Sequence, residues 1–201
     1  MNIWLLLPVK PFSQGKSRLS SNLNDHERVV LNRALMLHVF ETALTSQMFG
    51  NIVVISRDVE ALELARSQKV HALAEQGYGL NRALEQGRSY ALARHAPALL
   101  VLPSDLPNLT IADLQLILQN GCSPSSIVIA PSTDGGTNAL FMYPPQILSF
   151  QFGRNSFLAH CNAARQQRFS IRTVLSPGLQ TDIDSPQDLQ SLPASFLLSN
   201  K

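Results

Sequence analysis

The sequence predicts an α/β fold, a doubly wound and mostly parallel sheet covered by helices on both faces. Three observations carry this reading. Four short apolar runs, residues 3–9, 52–56, 99–103 and 127–131, are nearly continuous and bounded by polar residues or proline. Strands read this way when both faces of their sheet are covered. Amphipathic stretches at helical period separate these runs, and the alternation of strand with helix favours parallel neighbours joined by crossovers.

Each element has its own warrant. After the first run, Asn24 and Glu27 form a capping box that starts a helix near Asp25. Val29, Val30, Ala34, Leu37 and Phe40 then repeat at helical spacing. Residues 61–65, 80–93 and 112–118 give three more helical patterns, each lying between two of the runs. Beyond Pro131 the pattern changes: 138–143 reads as a strand, 156–166 as a helix and 171–175 as another strand. With no repeat, low-complexity stretch or long linker, residues 1–201 are expected to form a single domain.

Composition excludes several classes. The chain is 45% hydrophobic and 15% charged, which argues against disorder. A net charge of +2 without a Lys/Arg run gives no footprint for nucleic acid. The apolar stretch 3–7 lacks a preceding Lys or Arg and is stopped by Pro8, unlike a secretory signal. No window has the apolar length of a membrane span. Cys122 and Cys161 lack metal or redox spacing, so both are expected to be reduced thiols of a soluble, cytoplasmic protein.

Ligands of such sheets bind at the carboxyl ends of the strands, so the residues just past each run matter most. After the first run comes KPFSQGKSRL, residues 10–19. It is not a P-loop: Lys10 stands where the first glycine is required, and the helix begins too late. Lys10, Gly15, Lys16 and Arg18 instead suit another anion-binding loop, with a solvated basic loop as the plain alternative. Asp105 follows the 99–103 run between two prolines, and Asp182 and Asp184 share one face of an extended segment. Three carboxylates reaching one cleft make a hard oxygen site suited to Mg²⁺. For Asp184, helix capping ahead of Pro186 is the alternative.

Two later segments offer anion contacts. Asp134–Leu140, DGGTNAL, presents successive backbone N–H groups and the Thr137 hydroxyl, or else is a bare hairpin turn. In FGRNSFLAH, residues 152–160, Gly153 and Ser156 stand at a helix start, where free N–H groups attract anions. His160 lies one turn on, on the same face, either touching substrate or serving structure. Gly77 and Gly79 let backbone approach a base or ribose, with Asn81 placed to read an edge.

Taken together, LLPVKPFSQGKSRL, GLNRAL, SDLP, DGGTNALF, FGRNSFLAH and TDIDSPQDL resemble, in order and spacing, the guanylyltransferases of coenzyme F-420 side-chain assembly. That resemblance covers nearly the whole chain. It implies a Rossmann-like sheet of the nucleotide-diphospho-sugar transferase type. It also implies GTP as co-substrate and transfer of GMP to a phosphorylated three-carbon acid with pyrophosphate release. Phosphoenolpyruvate is favoured as acceptor over 2-phospho-L-lactate and 3-phospho-D-glycerate. By motif, Lys16 would contact phosphate, with Arg18 beside it. Asp105, Asp182 and Asp184 would hold two Mg²⁺ ions, and Thr137, Gly153 and Ser156 would bind the acid. Ser104, Arg154 and Asn155 depart from the family's usual residues, and Arg154 adjoins the acid-binding glycine, so acceptor choice stays open. A downstream deazaflavin transferase would take the unstable product. Tyr143, Phe150 and Phe152 are candidates for a homodimer interface. The rival readings are a sugar-nucleotide-dependent glycosyltransferase of the same sheet type and a non-catalytic nucleotide-binding module.

Overall fold

The structure, a computed structural model, describes residues 2–193 and residue 196. Its strands in chain order are β1 (Ile3–Val9), β2 (Phe49–Ser56), β3 (His71–Ala74), β4 (Ala98–Val101), β5 (Ser126–Pro131), β6 (Thr137–Tyr143) and β7 (Ile171–Thr173). They form one seven-stranded sheet in the order β3-β2-β1-β4-β6-β5-β7. Pairs β1/β2, β2/β3, β1/β4 and β5/β7 are parallel, and β6 runs antiparallel to both β4 and β5. The helices are α1 (Asp25–Ser46), α2 (Val59–Ser67), α3 (Leu80–Leu92), α4 (Ile111–Asn120), α5 (Ser156–Gln166) and the short α6 (Pro177–Gln180).

Both faces of β1 are buried, as its unbroken apolar sequence requires. Ile3, Leu5, Leu7 and Val9 join a core that includes Met36, Val39 and Phe40 of α1 and Leu114 and Ile117 of α4. Trp4 and Leu6 face a second core with Ala83, Leu84 and Ala91 of α3 and Ala164 of α5. Each such aliphatic side chain contributes about 2 kcal/mol by leaving water. α1 starts with the expected capping box between Asn24 and Glu27, and Thr110 and Asp113 make another at α4.

Several sequence expectations change. β3 and α6 were not foreseen: β3 is a four-residue edge strand, only partly buried, with no apolar run to announce it. Strand β2 starts at Phe49 rather than at residue 52, and β4 stops at Val101 rather than at residue 103. Of the aromatic interface candidates, Phe150 is buried, whereas Tyr143 and Phe152 are half-buried. Phe150 is buried in the second core with Phe152 packed on it, and Tyr143 packs on the first.

The strand order matters for the site. Beyond β1 the chain builds outward to β2 and β3, then returns to β4 on the other side. The carboxyl ends of β1 and β4 thus flank a topological switch point, where open sheets form a crevice. Because β6 is reversed, its first residues, Thr137 and Asn138, reach that same edge.

Candidate active site

One cavity of about 900 Å³ lies along this edge. Lys10, Gly15, Lys16, Arg18, Gly79, Asp105, Thr137, Gly153, Ser156, Asp182 and Asp184 all line it. Residues as far apart as Lys10 and Asp184 therefore share one concave surface, in a row set by the strand order.

At its centre stand the charges. Lys16 lies between two short 3-10 turns in left-handed backbone, with φ of 57°. This conformation costs a non-glycine residue about 1 kcal/mol and recurs at functional sites. It turns the Lys16 ammonium inward, where its side chain is 5% exposed. Nζ donates to Asp105 Oδ2 and, at 3.3 Å, to Asp184 Oδ1. Burial lowers the ammonium's pKa, but the Asp105 and Asp184 carboxylates outweigh it, so the pKa ends above its ordinary value. Arg18, mostly exposed, stands 3.9 Å from Asp184 Oδ2.

Oxygens of Asp105, Asp182 and Asp184 all lie within 4.8 Å of one another. Burial raises the Asp182 pKa, the two neighbouring carboxylates raise it further, and it reaches about 6. Repulsion between like charges about 4 Å apart is roughly 4 kcal/mol at an effective dielectric of 20, which the buried Lys16 ammonium offsets at Asp105 and Asp184. A trio of acidic oxygens this close is chemically suited to a divalent cation. Asn138, which the sequence reading left in its motif without a role, donates to Asp182 Oδ1 at 3.4 Å.

On the β6 side a neutral set of hydrogen-bonded side chains lies between the charged Asp134 and Arg154, which also line the cavity. Ser156, at the buried start of α5, donates to Thr137 Oγ1 at 3.0 Å, and His160 Nδ1 lies 3.2 Å from the same oxygen. The backbone N–H of Gln151 donates to His160 Nε2 at 3.0 Å. With Nε2 accepting, the neutral ring's proton is assigned to Nδ1, which then donates to Thr137. Thr137 Oγ1 is thus held by two buried neighbours at the cavity wall. Burial lowers the His160 pKa to about 4, which keeps the ring neutral. Gly153, with φ of 140°, has no atom within 4 Å of where a Cβ would sit, leaving its backbone open to the cavity.

Two expected site residues need correction. His160 is fully buried and does not line the cavity. It supports Thr137 from behind, because it lies inside the contact between α5 and β6. Asn81 does not line the cavity either. Its amide donates to the Phe152 carbonyl at 3.0 Å and accepts from the Phe152 N–H at 2.8 Å, so both ends are engaged in holding the chain ahead of Gly153. Two further residues position the loop after β1. Asp58 caps α2 and accepts from the Phe12 N–H at 2.7 Å, and Asn32 donates to the Phe12 carbonyl at 2.8 Å. Asp58 was visible as a residue past a strand. Nothing in the sequence singles out Asn32, an asparagine in mid-helix.

Comparison with known proteins gives the arrangement a family context. The profile described as "Guanylyl transferase CofC like" matches residues 3–194. A phosphoenolpyruvate guanylyltransferase of Rubrobacter xylanophilus is 38% identical over 196 residues, covering 97% of this chain and 95% of its own length. A 2-phospho-L-lactate guanylyltransferase of Methanothermobacter thermautotrophicus is 34% identical over 190 residues, 94% of this chain and 83% of that one. Among solved structures, a nucleotide-diphospho-sugar transferase from Desulfovibrio desulfuricans superposes with a TM-score of 0.79 at 17% identity. The match covers 100% of this chain and 90% of that one, a likeness of fold alone.

Proposed function

The chain belongs to the family of CofC-like guanylyl transferases, enzymes that move a nucleotidyl group from GTP, and from that premise we propose that its acceptor is a small phosphorylated three-carbon acid. Phosphoenolpyruvate is favoured because a 38% identical relative carries that activity in its name. The alternatives 2-phospho-L-lactate and 3-phospho-D-glycerate stay within the same reading. The product would enter coenzyme F-420 assembly through a downstream deazaflavin transferase, in the cytoplasm. The domain is taken as the whole of residues 1–201. Among the described residues no helix is long and apolar enough to cross a membrane.

One observation carries the mechanism: Lys16 and three aspartates distant in sequence meet in a single crevice. A phosphate oxygen of the acid attacks the α-phosphorus of GTP. The new P–O bond forms as the bond from α-phosphorus to the bridging oxygen breaks, and pyrophosphate leaves with that oxygen. The attacking oxygen is already ionised at neutral pH, so the chain needs no general base. Lys16 and Arg18 offset charge on the polyphosphate, and Thr137, Ser156 and the open backbone at Gly153 hold the acid. Asp105, Asp182 and Asp184 would hold Mg²⁺, two ions on this reading, which supply Lewis acidity at the phosphates. A homodimer is compatible with this scheme and is not required by it.

The test is a matrix assay: protein, Mg²⁺, each of four nucleoside triphosphates and each of the three acids, with pyrophosphate as readout. The product is trapped with the deazaflavin transferase. Pyrophosphate release that depends on GTP and on one acid is expected. Release that requires no acid, or transfer of a sugar without pyrophosphate, would overturn the proposal.

A further inference from the structure

The row of groups along the sheet edge continues past the charged centre to a part of the cavity that the mechanism leaves without a role. Glu75 follows β3 and Arg57 follows β2, and both line the cavity with Pro8, Leu80 and Leu84. The Glu75 side chain is only 9% exposed, and its Oε2 lies 3.2 Å from Arg57 Nε. No hydrogen bond to Glu75 Oε1 forms among the described residues. The Arg57 guanidinium is in turn held over the Tyr78 ring, 4.4 Å from its centroid. An acceptor atom left open at the wall of a cavity is available to a donor on a ligand.

We infer that Glu75 reads the base of the nucleotide, with Arg57 beside it, and sets the preference for guanine; this rests on the guanylyl-transfer reading above. Guanine's pairing edge carries one acceptor, O6, followed by two donors, N1–H and N2–H. Arg57 next to Glu75 presents a donor followed by two acceptor oxygens, the order that cytosine presents to guanine. Adenine would bring its N1 lone pair against the carboxylate, and hypoxanthine would lose the N2–H contact. Pro8, Leu80 and Leu84 offer the apolar surface on which a base lies. The location fits the length of a nucleotide. Neighbouring strands lie about 4.8 Å apart, so the end of β3 stands roughly 10 Å from the end of β1, where Lys16 would meet the phosphates. Gly79, with φ of 106° and an open Cβ position, keeps side-chain bulk from that end of the cavity.

Equilibrium binding of GDP, IDP and ADP in the presence of Mg²⁺ tests this without relying on turnover. The wild-type protein should bind GDP about tenfold more tightly than IDP, and at least a hundredfold more tightly than ADP, as expected for sites that read bases through paired hydrogen bonds. In Glu75→Gln the GDP-to-IDP ratio should fall to within about twofold of one. Glu75→Ala, which removes both acceptors, should do the same, so the result does not depend on how well the amide is tolerated. A wild-type protein indifferent to the N2 amino group would overturn the inference. So would variants that weaken all three nucleotides equally and keep the wild-type ratio, since a merely structural clamp between the ends of β2 and β3 would behave so. Failure of the guanylyl-transfer reading looks different: guanine preference in binding, with no pyrophosphate from GTP and any of the acids.

Discussion

The two sides of the cavity solve different problems with different chemistry. At the β1–β4 side Lys16, Arg18, Asp105, Asp182 and Asp184 are all ionisable and act at a distance. At the β6–α5 side Thr137, Ser156 and His160 form a neutral chain whose value lies in the direction of each proton. Charges tolerate some variation in distance because Coulomb energy falls slowly, whereas a hydrogen-bonded donor works only in one orientation. The charged side is therefore suited to a polyphosphate, and on the proposed function the β6–α5 side, with Arg154 beside it, would choose the acid.

The largest expected effect would break the charged side. Asp105→Asn removes the partner of Lys16 and one of the three clustered carboxylates. Turnover should fall at least a thousandfold, with circular dichroism and melting temperature near wild type. Near-normal activity would show that the charges are ornamental. On the neutral side, His160→Ala strips the acceptor from the Gln151 N–H and opens a hole in a fully buried position. Stability should fall by about 3 kcal/mol, and the KM for the acid should rise about tenfold while the KM for GTP stays within twofold. An equal rise in both would erase the division between the sides.

Acidification separates them by sign. The Asp182 pKa is raised in the fold to about 6, so its ionised form is penalised there, and its contribution grows as pH falls through that value. The His160 pKa is lowered to about 4, so its contribution is present above the ordinary histidine value and is lost as pH falls toward 4. The two oppose each other between about pH 4 and 6. Without divalent metal, Asp182→Asn should melt higher than wild type at pH 8 and should lose stability more steeply on acidification. His160→Gln should flatten that loss. Thermal melts across pH would read both, and parallel curves for all three proteins would reject the assignment. The smallest effect belongs to Asn81→Ala, which frees the Phe152 backbone. The KM for the acid should rise by about threefold, visible only against an unchanged KM for GTP.

The same division governs what could be read from the sequence. Asp105 stood out as a charge just past an apolar run, Lys16 as part of a basic loop, and Asp182 with Asp184 by their spacing in an extended segment, and all four line the cavity. Thr137 and Ser156 do line the cavity, whereas His160, for which a structural role was the open alternative, and Asn81 each support a neighbour instead. Their roles depend on which backbone groups come within reach, and helical spacing carries no information on that. Glu75 escaped notice because the strand before it is short and half-exposed. The parallel frame was legible in its continuous apolar runs. The reversal of β6 was legible only as the hairpin-turn alternative for residues 134–140, which the antiparallel pairing of β5 with β6 bears out.

That reversal has an engineering consequence. Because β6 enters the sheet at the edge where its neighbours leave it, Thr137, Gly153, Ser156 and the supporting His160 all come from one unbroken stretch of 24 residues, 137–160. The β1–β4 half holds that stretch from outside it, through Asn81 on Phe152, Arg88 on the Leu148 carbonyl and the Phe150 ring, and the pairing of β4 with β6. Acceptor preference should accordingly be heritable as a cassette: a relative's segment spliced between β5 and the middle of α5 would carry its own choice of acid into an otherwise unaltered nucleotide-handling frame.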